Sequence, residues 1–152
     1  MEQETSKGKL KEKVEVWLYY RDPNSKEFLF LLLETTVKRG AFWQPVTGSV
    51  EKGEALASAA LREAREETGI DLVGPAEPLG IFYDYEGWGQ KYREHGFSLE
   101  VESESGYAPK VQLDAHEHQN FQWVTSETAQ TMLKFPENEK ILQVLVEKLR
   151  FT

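Results

Sequence analysis

Residues 48–70 read GSVEKGEALASAALREAREETGI, and they decide the fold of this 152-residue chain. From Ala55 to Thr68 most residues favour helix, and Gly69 stands where such a helix is expected to end. The preceding residues 48–54 include two glycines, which predicts a tight loop. The segment therefore predicts a glycine-containing loop that leads directly into a helix.

The predicted helix has one acidic stripe and one apolar stripe, because successive residues turn by about 100°. The stripes consist of Glu63, Glu66 and Glu67 on one side and Ala57, Leu61 and Ala64 on the other. A solvated helix face usually places Lys or Arg four residues after Glu, but Glu63 is followed there by Glu67. Such a like-charge pair is destabilising by about 0.2–0.5 kcal/mol. The alternative is an ordinary exposed face, but the clustered carboxylates favour a site for Mg²⁺, which takes oxygen ligands.

The spacing in this segment resembles the sequence signature of the Nudix hydrolase family. That signature runs Gly, five residues, Glu, seven residues, Arg-Glu, an aliphatic, any residue, Glu-Glu, any residue, Gly and an aliphatic. The matching positions are Gly48, Glu54, Arg62, Glu63, Glu66, Glu67, Gly69 and Ile70. Ala64 departs from the signature, because the family usually has a larger aliphatic residue there. The resemblance implies an α/β (α+β) fold, namely a Nudix-type α/β/α sandwich with a mixed β-sheet between helices.

The same resemblance implies roles for the matching residues. Glu63 and Glu67 would be the main metal ligands, and Glu66 and the carbonyl of Gly48 would complete the set around one or more Mg²⁺ ions. Mn²⁺ is a conceivable substitute. The implied supporting roles are those of Arg62, which would orient Glu63, and of Glu54, which would stand behind the ligands as a further carboxylate. Arg62, Glu63 and Glu66 are therefore candidate catalytic residues.

A finer resemblance lies in the residues that flank the segment. Residues 43–49, WQPVTGS, are similar to the dihydroneopterin triphosphate pyrophosphohydrolase branch, and so is Glu117-His118 followed by Trp123. Glu117 is interpreted as an additional metal ligand or a general base, against the alternative of an ordinary loop residue. The candidate substrate-binding residues are Trp43, Gln44, Thr47 and Trp88. For Trp43 core packing is the stronger interpretation, whereas Trp88 is a candidate for a substrate lid.

The rest of the chain predicts the other layers of the sandwich. Residues 1–13 are expected to be a flexible polar tail and residues 14–152 a single domain. The predicted strands are Val14–Tyr20, Phe28–Leu33, Leu79–Tyr83, Phe97–Val101 and Asn120–Val124. Helices are expected from Ser126, as the capping residue, through Met132 and from Pro136 to the end. The polar, glycine-containing stretch from Asp84 to Gly96 predicts a long surface loop.

Composition excludes several classes of protein. The chain has 18 Lys and Arg against 26 Asp and Glu, a formal charge of −8, and no Cys. The negative balance argues against nucleic-acid binding, and the lack of Cys excludes thiol chemistry and is compatible with the cytoplasm. The longest apolar run, Phe28 to Leu33, is too short to cross a membrane, and the polar N-terminus is no secretory signal. We therefore expect a cytoplasmic protein with a small-molecule partner, and a homodimer is left open.

These observations predict an enzyme that uses Mg²⁺ to hydrolyse a phosphoanhydride bond. By the resemblance, the substrate would be a nucleoside or pterin triphosphate, or a related nucleoside diphosphate derivative, and the product would be pyrophosphate. A hydrolase of dinucleoside polyphosphates or nucleotide sugars is the alternative within the same class. A catalytically inactive module that senses nucleotides is a third interpretation, which the complete set of carboxylates disfavours.

Overall fold

The computed structural model describes residues 9–151 as a mixed sheet with helices on both of its faces. The strands are β1 (Lys11–Arg21), β2 (Phe28–Thr35), β3 (Trp43–Gln44), β4 (Val46–Ser49), β5 (Glu77–Gly87), β6 (Gln90–Glu100) and β7 (His118–Val124). The helices are α1 (Leu56–Thr68), α2 (Ser126–Met132) and α3 (Pro136–Leu149), and a short 3₁₀-helix covers Val37–Arg39. Helix α1 packs against β4 and β1, whereas α2 packs against β2 and α3 against β5. The predicted α/β/α sandwich is confirmed.

Strand β1 organises the sheet, whose main order is β3-β2-β1-β6-β5. It runs parallel to β6, and it pairs antiparallel with β4 near its beginning and with β2 near its end. Strand β2 also pairs with β3 and β7, both antiparallel. The pairing of β4 with β1 places Gly48 opposite Val14. The loop from β4 into α1 therefore begins beside the central strand of the sheet.

The sheet separates two hydrophobic cores, because successive side chains of a strand point to opposite faces. In β2, Leu31 and Leu33 lie in the core beneath α1, while Phe30 and Leu32 lie in the core beneath α3. All four side chains are buried. The prediction of a strand covered on both faces is confirmed.

Helix α1 meets the sheet through small side chains and ends where the sequence predicts. Ala59, Ala60 and Ala64 are fully buried in the first core. After the last turn, Gly69 has a φ of 67°, and its N–H donates to the carbonyl of Arg65 at 2.9 Å. Glycine adopts this left-handed conformation without strain, so the helix stops at a defined residue.

The predicted surface loop from Asp84 to Gly96 is wrong, because these residues belong to a β-hairpin. Strands β5 and β6 pair as far as Gly87 and Gln90, which leaves Trp88 and Gly89 as a two-residue turn. Their φ values of 52° and 72° match a type I′ turn. The polar residues that suggested a loop alternate with half-buried aromatic residues along β5, as in any strand with one solvated face.

Two further boundaries differ from the prediction. Strand β1 begins at Lys11 and pairs with β6 from there, so residues 11–13 are strand and not tail. Residues 1–8 of the predicted tail lie outside the described residues. Helix α2 is capped by Thr125 and not by Ser126, because Oγ1 of Thr125 accepts the N–H of Thr128 at 3.2 Å. None of the helices in the described part of the chain has the length and apolar character that crossing a membrane requires.

Candidate active site

A cavity of about 450 Å³ lies where α1, β4 and the residues just before β7 meet. The predicted site residues in its wall are Gly48, Arg62, Glu63, Glu66, Glu67 and Glu117, joined by Gln44 and Thr47. Strand β4 contributes the glycine, α1 contributes the acidic stripe, and the turn before β7 contributes Glu117. The structure therefore brings the carboxylates of the helix and the distant Glu117 to one cavity.

Arg62 holds the loop and the helix together through a set of hydrogen bonds. Its Nε and Nη2 donate to the two carboxylate oxygens of Glu54 at 2.8 and 3.0 Å, and Nη2 also donates to the carbonyl of Ser49 at 2.9 Å. Its Nη1 donates to Glu63 at 3.1 Å and to Glu66 at 3.3 Å. Hydrogen bonding to Arg62 holds the pKa of Glu54 below its usual value. Arg62 therefore fixes the position of the Glu63 carboxylate relative to the loop.

Glu63 lies directly over Gly48. A Cβ atom added to Gly48 would stand 1.7 Å from Oε2 of Glu63, so only glycine fits beneath this carboxylate. Burial raises the pKa of Glu63 to about 7; Arg62 opposes that rise, while the negative charges of Glu66 and Glu67 add to it. The carboxyl therefore lies in a crowded, partly desolvated place where a positive ion would be favoured.

Glu67 is only 7% exposed and lies beside His118 at the base of the cavity. Nδ1 of His118 is 2.9 Å from Oε2 of Glu67, and Nε2 of His118 is 3.3 Å from the amide nitrogen of Gln44. Despite this short distance, neither Oε2 nor Nδ1 forms a correctly oriented hydrogen bond within residues 9–151. A buried carboxylate oxygen thus remains without a hydrogen-bond donor.

The donor set fits a divalent cation by its chemistry. Carboxylate and carbonyl oxygens are the ligands that Mg²⁺ takes in proteins. Oε2 of Glu67, which accepts no hydrogen bond from the described residues, is such an oxygen. Among the residues that the structure describes, no three His, Asp or Glu side chains already converge as a metal-binding group. One reason is that Arg62 contacts both Glu63 and Glu66. The fit to a divalent cation therefore rests on the chemistry of the carboxylate and carbonyl oxygens and on their place in the same cavity.

Glu117 contacts Arg39 of the 3₁₀-helix at the rim of the same cavity. Their side chains form an ion pair, and Nη1 of Arg39 also donates to the carbonyl of Glu117 at 3.3 Å. The N–H of Thr36 donates to that carbonyl as well, at 3.3 Å. These contacts join the segment before β3 to the turn before β7 and keep the Glu117 carboxylate near the acidic helix.

The structure distributes the predicted substrate-binding residues unevenly. Gln44 and Thr47 line the acidic cavity, whereas Trp43 packs half-buried against the second hydrophobic core and lines neither that cavity nor its neighbour. Trp88 is 96% exposed at the tip of the β5–β6 hairpin and lines the neighbouring cavity. The structure therefore shows Trp43 as a packing residue, whereas Trp88 lies in the wall of a cavity.

That neighbouring cavity, of about 420 Å³, adjoins the acidic cavity, and the predicted substrate-binding residues Gln44, Thr47 and Trp88 lie in its wall. It is lined mainly by aromatic and polar residues, among them Phe42, Tyr83, Tyr85, Trp88, Glu94 and Asn138. The two cavities share Lys13, Arg39, Gln44 and Thr47 in their walls. Lys13 was assigned to the tail, and no spacing pattern distinguishes Arg39, so neither basic residue was singled out. The alternation of Tyr83 and Tyr85 was the one signal in the sequence that could have revealed this wall.

The glycine loop and the acidic helix face braced by Arg62 form a site whose ligand chemistry suits a divalent metal ion. The chain belongs to the NUDIX family, because the NUDIX domain is matched over residues 11–145. The resemblance that the sequence suggested is confirmed.

The chain is also similar to several known proteins. The chain is 37% identical over 116 residues to the octanoyltransferase of Myxococcus xanthus, a match that covers 69% of this chain but only 29% of that protein. It is 30% identical over 114 residues to the dihydroneopterin triphosphate diphosphatase of Escherichia coli, covering 69% of this chain and 75% of the relative. The fold is also similar to a Caenorhabditis elegans Ap4A hydrolase, with a TM-score of 0.74, 24% identity and coverage of 94% and 100% of the two chains.

Family membership establishes the general activity. The chain is a Nudix pyrophosphohydrolase, a hydrolase that acts on phosphoric anhydride bonds of nucleotide derivatives. Nudix domains generally use a divalent metal ion such as Mg²⁺. The predicted family and enzyme class are thereby confirmed.

Proposed function

We propose that this chain hydrolyses a nucleoside triphosphate or a pterin triphosphate with Mg²⁺ and releases pyrophosphate. The observation that carries the proposal is the pair of adjoining cavities, one lined by carboxylates and the other largely by aromatic side chains. A nucleoside or pterin triphosphate has two corresponding parts, a phosphate chain that a metal ion in the first cavity would bind and a planar ring. The similarity to the E. coli dihydroneopterin triphosphate diphosphatase supports the same substrate class.

Two basic residues stand where the phosphate chain would pass between the cavities. Lys13 of β1 and Arg39 of the 3₁₀-helix line both of them. Ammonium and guanidinium groups form strong, charge-assisted hydrogen bonds with phosphate oxygens. These side chains would therefore guide the phosphates toward the acidic helix, although the chain as a whole carries a charge of −8.

The carboxylates of α1 would hold the metal ion. Glu63, Glu67 and Glu66, with the carbonyl of Gly48, are the proposed ligands. A bound ion of this kind neutralises phosphate oxygens and lowers the pKa of water. Arg62 orients Glu63 through Nη1, and Glu54 fixes Arg62 by two hydrogen bonds.

Glu117, in the wall of the acidic cavity, would act on the attacking water. Its carboxylate can accept a proton as water forms the new P–O bond, while the bridging P–O bond breaks and pyrophosphate leaves. The contact with Arg39 keeps this carboxylate at the rim of the cavity. An additional ligand role for Glu117 fits the same placement.

The alternatives differ in the group attached to the phosphates. A hydrolase of dinucleoside polyphosphates or nucleotide sugars would use the same carboxylates, and the 30% identity to the asymmetrical bis(5'-nucleosyl)-tetraphosphatase of Sus scrofa supports the first of these alternatives. A nucleotide sensor without activity is disfavoured, because every carboxylate of the signature is present and lines the cavity or braces Arg62.

The direct test of the proposed site is Glu67→Gln, assayed with Mg²⁺ or Mn²⁺ on nucleoside triphosphates, a pterin triphosphate, dinucleoside polyphosphates and nucleotide sugars. Because the amide removes the ligand charge but keeps the shape, the variant should fold normally and lose roughly 100-fold or more of its turnover. Glu102→Gln, an exposed carboxylate outside both cavities, is the matched control and should keep full activity. Normal turnover by Glu67→Gln would contradict the assignment.

A further inference from the structure

A buried carboxyl lies at the centre of the sheet, away from the acidic helix. Glu15 of β1 is 0% exposed. Its Oε2 accepts the indole N–H of Trp17 at 2.7 Å, and its Oε1 accepts the amide of Asn138, from α3, at 2.8 Å. The hydroxyl of Tyr83 stands 3.4 Å from Oε1. Three different elements therefore supply polar partners for this one side chain.

A second carboxyl, Glu94 of β6, lies beside the first and is 3% exposed. Tyr83 donates to its Oε2 at 2.7 Å, and Tyr85 donates to its Oε1 at 3.2 Å. Burial and then the charge of Glu94 raise the pKa of Glu15 well above its ordinary value. Two neighbouring buried carboxyls share one proton more readily than they both ionise.

Of the two carboxyls, Glu94 lies in the wall of the neighbouring, aromatic cavity, whereas Glu15 is buried behind it. Glu94, Tyr83 and Tyr85 are wall residues, and so is Asn138. If this region served only for packing, apolar residues would be expected, since burying polar groups is unfavourable unless each one is hydrogen-bonded. The arrangement instead keeps a carboxylate in a fixed orientation where a ligand can meet it.

Asn138 adds a second, independent sign of a ligand. It is 3% exposed, and its amide nitrogen is engaged by Glu15. Within the described part of the chain, its Oδ1 has no hydrogen-bond partner. Buried polar atoms in native proteins nearly always have a partner, so an unmatched acceptor in a cavity wall calls for a donor from outside the chain.

We propose that Glu94 and Asn138 recognise a heterocyclic ring that carries an amino group beside a ring N–H, the edge shared by guanine and pterin. A carboxylate accepts two such parallel N–H groups in a bidentate manner. Adenine and cytosine have the amino group without the neighbouring N–H, and uracil has the N–H without the amino group. This inference deepens the proposed function and rests on it for the direction of the phosphates, which would pass Lys13 and Arg39.

The first test uses the unmodified protein and ligands without phosphate. Binding of guanosine and of inosine, which lacks only the amino group, is measured by calorimetry in the absence of metal. Guanosine should bind more tightly by roughly tenfold, because inosine leaves one acceptor of a charged pair unmatched. Equal affinities, or no detectable binding of either nucleoside, would overturn the proposal.

The second test replaces the acceptor. Glu94→Gln puts an amide donor against the ring and should bring the affinities for guanosine and inosine close to equality. Glu12→Gln is the matched control, because Glu12 of β1 pairs with His95 and lines neither cavity, so it should keep the preference. Thermal unfolding shows whether both variants fold. If Glu94→Gln does not fold, the comparison of guanosine with inosine in the unmodified protein still tests the proposal. A folded Glu94→Gln protein that still prefers guanosine would overturn the assignment of this residue.

These readouts separate the ring site from the proposed hydrolysis. A preference for guanosine with no pyrophosphate release on the substrate panel would support the ring site and overturn the proposed function. Pyrophosphate release with no distinction between guanosine and inosine would support the proposed function and overturn the ring site.

Discussion

The Glu63 carboxylate occupies the space that a side chain at position 48 would need, which explains why residue 48 is glycine. An added Cβ would lie 1.7 Å from Oε2, 2.0 Å from Cδ and 2.3 Å from Cγ of Glu63, so it would meet most of this flexible side chain. The chain can therefore accept a larger residue there only if the Glu63 carboxylate moves away. Position 48 is thus constrained by the site and not by the core.

The substitution Gly48→Ala tests this constraint. The displaced Glu63 should lower kcat by about 100-fold, a typical effect of misplacing a catalytic group by about 1 Å, while the fold survives. Steady-state kinetics and thermal unfolding are measured together. Gly87→Ala is the control, because its Cβ would come no closer than 3.9 Å to Tyr92, and it should leave kcat unchanged. Unchanged kcat in Gly48→Ala would contradict the close approach.

At the scale of elements, helix α1 could be predicted and the β5–β6 hairpin could not. The site residues of α1 lie within one or two turns, so their spacing alone fixes their shared face. The aromatic cavity instead depends on pairs such as Glu15 and Asn138, which are 123 positions apart. Such contacts follow from strand pairing and helix packing, which periodicity in one segment does not reveal.

The hairpin turn provides a prediction at this scale. Gly89 has a φ of 72°, a conformation that costs most residues about 1–2 kcal/mol, whereas Asn tolerates it better. Gly89→Ala should therefore lower the free energy of unfolding by about 1 kcal/mol, and Gly89→Asn should lower it by less. Denaturant titration measures both variants. Equal stability of the alanine and glycine proteins would contradict the type I′ turn.

At the scale of the whole molecule, the buried pair links stability to pH. The pKa of Glu15 is raised in the folded state by burial and by Glu94, and the hydroxyls of Tyr83 and Tyr85 also face the pair. A group with a raised folded pKa contributes stability that is complete below its unfolded pKa. That stability is lost as the pH rises toward and through the folded pKa.

Glu15→Gln, which resembles the protonated carboxyl, should remove this loss. Its free energy of unfolding relative to the unmodified protein should increase as the pH rises above about 5. Denaturant titrations at several pH values measure the difference. A difference that stays constant over this range would show that Glu15 is not the group that holds the proton.

The distribution of charge also belongs to the whole molecule. The net charge of −8 is compatible with an anionic substrate because Lys13 and Arg39 stand in the cleft and a metal ion would offset the acidic helix. The single-domain organisation, the cytoplasmic location and a homodimer stay predictions.

We expect the acidic cavity to cleave a triphosphate so that pyrophosphate leaves. Phosphorus NMR of the products, with GTP and with a pterin triphosphate in the presence of Mg²⁺, measures this directly. The unmodified protein should give pyrophosphate and the corresponding monophosphate, and Glu67→Gln should form both about 100-fold more slowly or slower still. Release of inorganic phosphate with a diphosphate product, or cleavage by Glu67→Gln at the normal rate, would contradict this expectation.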